Sequence, residues 1–184
     1  MKKAISCLCF FFFSFGCLYA GEFLKDYNSD KGQFNIPFGR EYNYEDILAS
    51  RVIDGDTLQL EDGERVRLIG IDTPEMHESA KLDRDASRSR QSKELIIKMG
   101  RQAYEFTKKL VEGRRVRLEF DAENRDIYKR LLAYVYLQDG TFVNAEIVRQ
   151  GYASLMTIPP NVKYSELFLK LYREARENRR GLWE

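Results

Sequence analysis

Two Asp-Gly steps, Asp54-Gly55 and Asp62-Gly63, each stand between short runs of alternating apolar residues. Asx-Gly supplies the backbone of a tight hairpin, and period-two alternation marks strands with one buried face. Ile47 to Ile53, Thr57 to Leu60 and Val66 to Ile71 therefore read as a three-stranded meander. A chain committed to that meander must close or cover its sheet edges, so the rest of the sequence is read for what does so.

Val116, Leu118 and Phe120 alternate with Arg115, Arg117 and Glu119 as a half-buried strand, and Leu131 to Leu137 forms another. Between meander and strands, Met99, Ala103, Phe106 and Leu110 share one helical face, with Gly113 past its end. Asn144 to Gln150 reads as a short helix closed by Gly151, and Tyr152 to Ile158 as extended chain. A last helix places Tyr164, Leu167, Phe168, Leu171, Tyr172 and Ala175 on one stripe. Residues 76–92 are almost wholly polar and read as a solvated loop without core contacts. The fold class is mainly β with appended helices (α+β). Its core is a closed five-stranded β-barrel of OB-fold type with about three helices.

The 184-residue length suits one such domain. Lys2 and Lys3 precede an uncharged apolar run to Ala20, after which the chain turns polar. That pattern is a secretory signal peptide over residues 1–20. An uncleaved membrane anchor is the competing reading, although the run is slightly short. Lipid attachment at Cys17 is a third. Cys7, Cys9 and Cys17 all lie in this segment, so cleavage after Ala20 leaves no cysteine and no disulfide. Residues 21–44 read as an extended lead-in, and 45–184 as the folded domain.

With one histidine, little room exists for zinc or Ser-His-Asp chemistry. Three other stretches carry chemistry: Asp54 to Thr57, Arg67 to Glu75, and Asp126 to Tyr134. Singly, each is explained as a turn, a strand leading into a Thr-Pro-Glu helix start, or a charged turn before a strand. Together, and in this order within a barrel pattern, they resemble the staphylococcal nuclease family from about Ile47 to Trp183. The matching text is Val52-Ile53-Asp54-Gly55-Asp56-Thr57, Asp72-Thr73-Pro74-Glu75, Leu132-Ala133-Tyr134-Val135, Val148-Arg149-Gln150-Gly151-Tyr152-Ala153 and Gly181-Leu182-Trp183.

The resemblance implies calcium (Ca2+) held by Asp56, Asp72 and the Thr73 carbonyl, with Arg67, Glu75 and Arg130 as the catalytic set. It implies hydrolysis of DNA and RNA with little sequence preference, leaving 3′-phosphate and 5′-hydroxyl ends. The expected protein is an exported monomer without a stable protein partner. It would touch a membrane only through a lipidated Cys17 or a retained leader. The alternative is a catalytically silent OB-fold module that binds nucleic acid or a surface ligand, which predicts loss of site residues that are all present. Four positions depart from the family. Its glycine before the second arginine is Lys129, a basic residue of the same loop is Ile127, and two nucleotide-holding tyrosines fall at Thr157 and Pro159. His77, alone in a polar loop, is expected to be exposed.

Period two places Arg67 and Asp72 on opposite faces, so a shared site requires a bend near Gly70 or at the strand end, and a bulge or close backbone approach at Gly70 is one device for it. The net charge of +1 is also unevenly distributed. Residues 21–80 carry 6 basic and 14 acidic side chains, net −8; residues 81–130 carry 15 and 9, net +6. The acidic part holds the expected cation ligands, and the basic part suits contact with phosphates.

Overall fold

The computed structural model describes residues 33–35 and 41–184; the leader and most of the 21–44 segment lie outside them. Two short strands, β1 (Gln33–Asn35) and β2 (Glu41–Asn43), pair antiparallel ahead of the barrel. Tyr44, which follows them, is buried in the core.

The barrel is closed in the order β3-β4-β5-β8-β7. Its strands are β3 (Ile47–Asp54), β4 (Thr57–Leu60), β5 (Arg65–Leu68), β7 (Arg115–Glu119) and β8 (Leu131–Leu137). The two Asp-Gly steps form the meander turns, and Val52, Leu58, Val66, Val116 and Ala133 point inward with no exposed surface. Closure comes from β3 pairing antiparallel with β7 and from β5 pairing parallel with β8, which removes the free edges.

Between β5 and β8 the chain leaves the barrel. Gly70 takes φ +84°, and β6 (Gly70–Asp72) departs to pair with β9 (Ser154–Met156). This is the bend that the parity of Arg67 and Asp72 required. A side chain at Gly70 would lie 2.5 Å from the ring of Phe168, so glycine serves both the backbone angle and the close approach.

The helices are α1 (Ala80–Ser89), α2 (Lys93–Val111), α3 (Val143–Arg149) and α4 (Ser165–Glu177), followed by a 3₁₀ turn at Gly181–Trp183. Residues 76–92 are thus not a solvated loop: they contain α1, and its Leu82 is wholly buried. One apolar anchor in ten residues leaves no periodicity to read. The start is set instead by Ser79, whose hydroxyl accepts from the Leu82 N–H at 3.1 Å. Likewise α2 begins earlier than its apolar face suggests, at a second serine cap, Ser92. Among the described residues no helix is long and apolar enough to cross a membrane.

Candidate active site

The β3–β4 turn, the strand β6 and the loop after it, and the loop before β8 meet at one end of the barrel around a cleft of about 610 Å³. Asp54, Asp56, Arg67, Asp72, Glu75, Lys81 and Arg130 all line it. Asp56 is held from three sides. Its Oδ2 accepts from the Thr73 N–H at 2.9 Å and the Thr73 hydroxyl at 3.1 Å, while Oδ1 accepts from the Thr57 hydroxyl at 3.1 Å. This contact clamps the turn to the chain after β6. Gly55 permits it, because a Cβ there would meet the Thr73 side chain at 2.8 Å.

Arg67 forks between two carboxylates, 2.5 Å from Asp56 Oδ2 and 2.9 Å from Asp72 Oδ1. Its position owes to β4 and β5 pairing Thr57 with Arg67, and Asp72 is swung toward it by the Gly70 bend. Glu75 sits where its backbone crosses α2 at Gly100; a Cβ at Gly100 would lie 2.5 Å from the Glu75 carbonyl oxygen. The Glu75 carboxylate accepts from the Ser79 hydroxyl at 3.3 Å and pairs with Lys81 at 3.0 Å.

Arg130 reaches the cleft from the other side. The parallel register aligns Arg67 with Leu132, so Arg130 stands two residues before the partner of Arg67. Asp126 orients it, accepting from its N–H and from Nε at 2.9 and 2.7 Å. Lys129, in the family's glycine position, adopts the glycine-like φ of +65°, with its carbonyl oxygen held by Arg125 at 2.6 Å. A left-handed angle at a lysine carries a conformational cost.

Lys81, the first turn of α1, was not legible as a site residue. Its ammonium lies 3.0 Å from Asp72 Oδ1, 3.1 Å from the Thr73 carbonyl oxygen and 3.0 Å from Glu75 Oε1. These two ion pairs more than offset the burial that opposes its charge, holding its pKa above the ordinary lysine value. Burial raises the Asp72 pKa, against the opposing pull of Lys81 and Arg67. Asp54, read in sequence only as a turn residue, is pushed up to about 6, first by burial and then by the neighbouring Asp56 charge.

The fit to a cation follows from these contacts. Asp72, the Thr73 carbonyl and Glu75 already converge on a positive charge, the Lys81 ammonium, through oxygen atoms alone. Oxygen-only donors suit a hard divalent ion such as calcium. Four lining carboxylates (Asp54, Asp56, Asp72 and Glu75) face two cations (Arg67 and Lys81) near them, which leaves an excess of negative charge. Among the described residues no three acidic or imidazole side chains form a ready-made metal cage. Asp56 faces Arg67 rather than the position held by Lys81.

The remaining expectations divide. Ile127 and Tyr128 are exposed and line the far end of the cleft. Thr157 and Pro159 do not line it. Met156 and Ile158 do, on the same side because side chains alternate along this extended segment. The cleft wall there is aliphatic and thioether rather than aromatic. His77 is exposed, as expected.

Residues 65–184 match the family model described as staphylococcal nuclease homologue. The chain is 41% identical over 143 residues to a thermonuclease of Staphylococcus intermedius, covering 76% of this chain and 77% of that protein. It is 30% identical over 158 residues to a thermonuclease of Staphylococcus hyicus, covering 84% and 85%. Endonuclease YhcR of Bacillus subtilis is 29% identical over 154 residues, 80% of this chain but 12% of that longer protein.

Proposed function

Starting from the chain's membership of the staphylococcal nuclease family, we propose that it is an exported, calcium-dependent nuclease cutting DNA and RNA with little sequence preference. The observation that carries this reading is the convergence of Arg67, Glu75 and Arg130 on a cleft that also holds Asp56, Asp72 and the Thr73 carbonyl. A binding module needs cations for phosphates, but it has no use for a carboxylate held among them. Export rests on the leader-like residues 1–20.

Hydrolysis places a water in line behind phosphorus and adds negative charge to the phosphoryl oxygens. Glu75 is held by Ser79 and Lys81 at the cleft wall, where it can accept a proton from that water or fix its orientation. Such help is typically worth about 10²–10⁴ in rate. Arg67 from a strand and Arg130 from the loop before β8 can donate to two phosphoryl oxygens, each contributing about 10²–10³ by the measure of lost oxyanion donors. Asp56, Asp72 and the Thr73 carbonyl would hold calcium, which when bound supplies charge neutralisation at a phosphate oxygen. The water oxygen bonds to phosphorus, the phosphorus–O5′ bond breaks, and the proton ends on the 5′ oxygen.

Digestion of plasmid DNA and RNA with and without calcium, followed by end-group analysis, tests the reading. Products with 3′-phosphate and 5′-hydroxyl ends that vanish on chelation are expected, as is a loss of at least 10²-fold in kcat for Glu75→Gln with binding retained. Undiminished cleavage under chelation would remove the metal, and a wild-type rate for Glu75→Gln would remove its role.

A further inference from the structure

The helix α1 has a chemistry that its single buried side chain does not explain. At about 100° per residue, Lys81, Arg84 and Arg88 fall within about 60° of one another, turned away from the buried Leu82. Lys81 opens the stripe inside the cleft. Arg84 and Arg88 follow at about 4.5 and 10.5 Å along the axis, by the rise of 1.5 Å per residue. Both are exposed and, among the described residues, neither is tied to a carboxylate. Three other arginines of the domain are tied: Arg115 pairs with Asp46, Arg125 with Glu64, and Arg149 with Glu146. The acidic residues of α1 do not cancel the stripe either. Asp83 lies on another face and is claimed by Lys93 at 2.5 Å, and only the half-buried Asp85 borders the stripe.

The helix is firmly seated despite its polarity. Leu82 anchors it, the Asp83–Lys93 pair ties it to α2, and its cap residue Ser79 bonds to Glu75. A rigid row of unpaired guanidiniums leading out of a phosphate-cleaving cleft is complementary to a continuing phosphate backbone. We propose that the outer face of α1 binds the polynucleotide backbone beyond the scissile phosphate, with Arg84 and Arg88 each neutralising one further phosphate. This rests on the nuclease reading and adds a preference for polymers over short fragments. At the 3.4 Å per nucleotide of one B-form strand, the 10.5 Å from Lys81 to Arg88 spans about three nucleotides.

The test uses the full folded chain and the double variant Arg84→Gln/Arg88→Gln, which leaves every cleft residue in place. Binding of a 30-nucleotide oligodeoxythymidylate, with calcium withheld, is followed by fluorescence anisotropy across salt concentrations. Loss of two phosphate contacts should lower the slope of log K against log salt by about 1.4, at about 0.7 per single-strand contact. In cleavage assays KM for the 30-mer should rise about tenfold, while kcat/KM for a dinucleotide stays unchanged. An unaltered slope and KM would overturn the proposal. Equal losses on both substrates would also overturn it, because α1 would then act only by steadying Glu75. So would lost binding to phosphatidylglycerol vesicles with oligonucleotide binding intact, since the stripe would then serve a membrane surface. A wild-type chain that cuts neither substrate would instead refute the nuclease reading itself.

Discussion

Replacing Gly70 by alanine perturbs the bend that brings Asp72 to Arg67, and its cost can be worked from two observations. The backbone there is at φ +84°, a region that costs an L-residue about 1–2 kcal/mol. The new methyl would stand 2.5 and 2.7 Å from Cε2 and Cδ2 of Phe168. That ring is almost fully buried against Tyr134, Phe142 and Tyr164 and has no open side to move into. Overpacking of this kind costs about 1–3 kcal/mol. Stiffening of the unfolded chain returns about 0.4–1 kcal/mol. The expected net destabilisation is about 3 kcal/mol, well within the 5–15 kcal/mol typical of a folded domain. Urea titration should show a lowered midpoint with an unchanged slope. Adding Phe168→Leu should recover only the steric part, measured against Phe168→Leu alone. Cleavage by Gly70→Ala under folding conditions should also fall, since Arg67 and Asp72 no longer share one side of the strand. A change below 0.5 kcal/mol would show that neither the backbone angle nor the ring contact constrains this position.

Lys129→Gly should stabilise the domain by about 0.5–1 kcal/mol, because removing left-handed strain exceeds the entropy lost by a glycine; a lower melting temperature would contradict that. Lys81→Met removes the ammonium from Asp72, Thr73 and Glu75, and two partly exposed pairs of about 0.2–1 kcal/mol each translate to roughly fivefold tighter calcium binding by calorimetry. Weaker binding would mean that the lysine arranges the oxygens instead of competing for them. Burial raises the pKa of Glu119 and Asp121, but Lys163 with Tyr164 and Tyr134 outweighs it, so both carboxyls end below their ordinary values. The stability they contribute is present above pH about 4 and lost as pH falls through that range. Melting temperature should therefore drop on acidification, and less steeply in Glu119→Gln/Asp121→Asn; identical pH profiles would exclude these two groups.

The barrel was legible because both of its hairpin turns use Asp-Gly and its strands keep period two. The site was legible for a different reason: Asp56, Arg67, Asp72, Glu75 and Arg130 lie in motifs, and the clash between strand parity and a shared site pointed to Gly70. Two things were hidden. The helix α1 buries only Leu82, so hydrophobic periodicity could not report it, although Ser79 offered a cap. Lys81 was hidden with it, since a lysine in a polar stretch has no signature until the helix carries it to Asp72 and Glu75. That Met156 and Ile158 line the cleft was also not legible, because alternation along an extended segment decides which side chains face it.

The parallel pairing of β5 with β8 has a consequence for the chain as it is made. Arg67 is fixed in a strand whose neighbour is not synthesised until Leu131–Leu137, and Ile69 donates to Ala133 across that join at 3.1 Å. Gly70 turns against Phe168, and the Asp72 carbonyl accepts from Ser154 at 3.1 Å. The cleft is thus assembled from segments that span the domain, from Asp54 to Asn161. A nascent chain that has emerged only as far as Arg130 has every named site residue and no site.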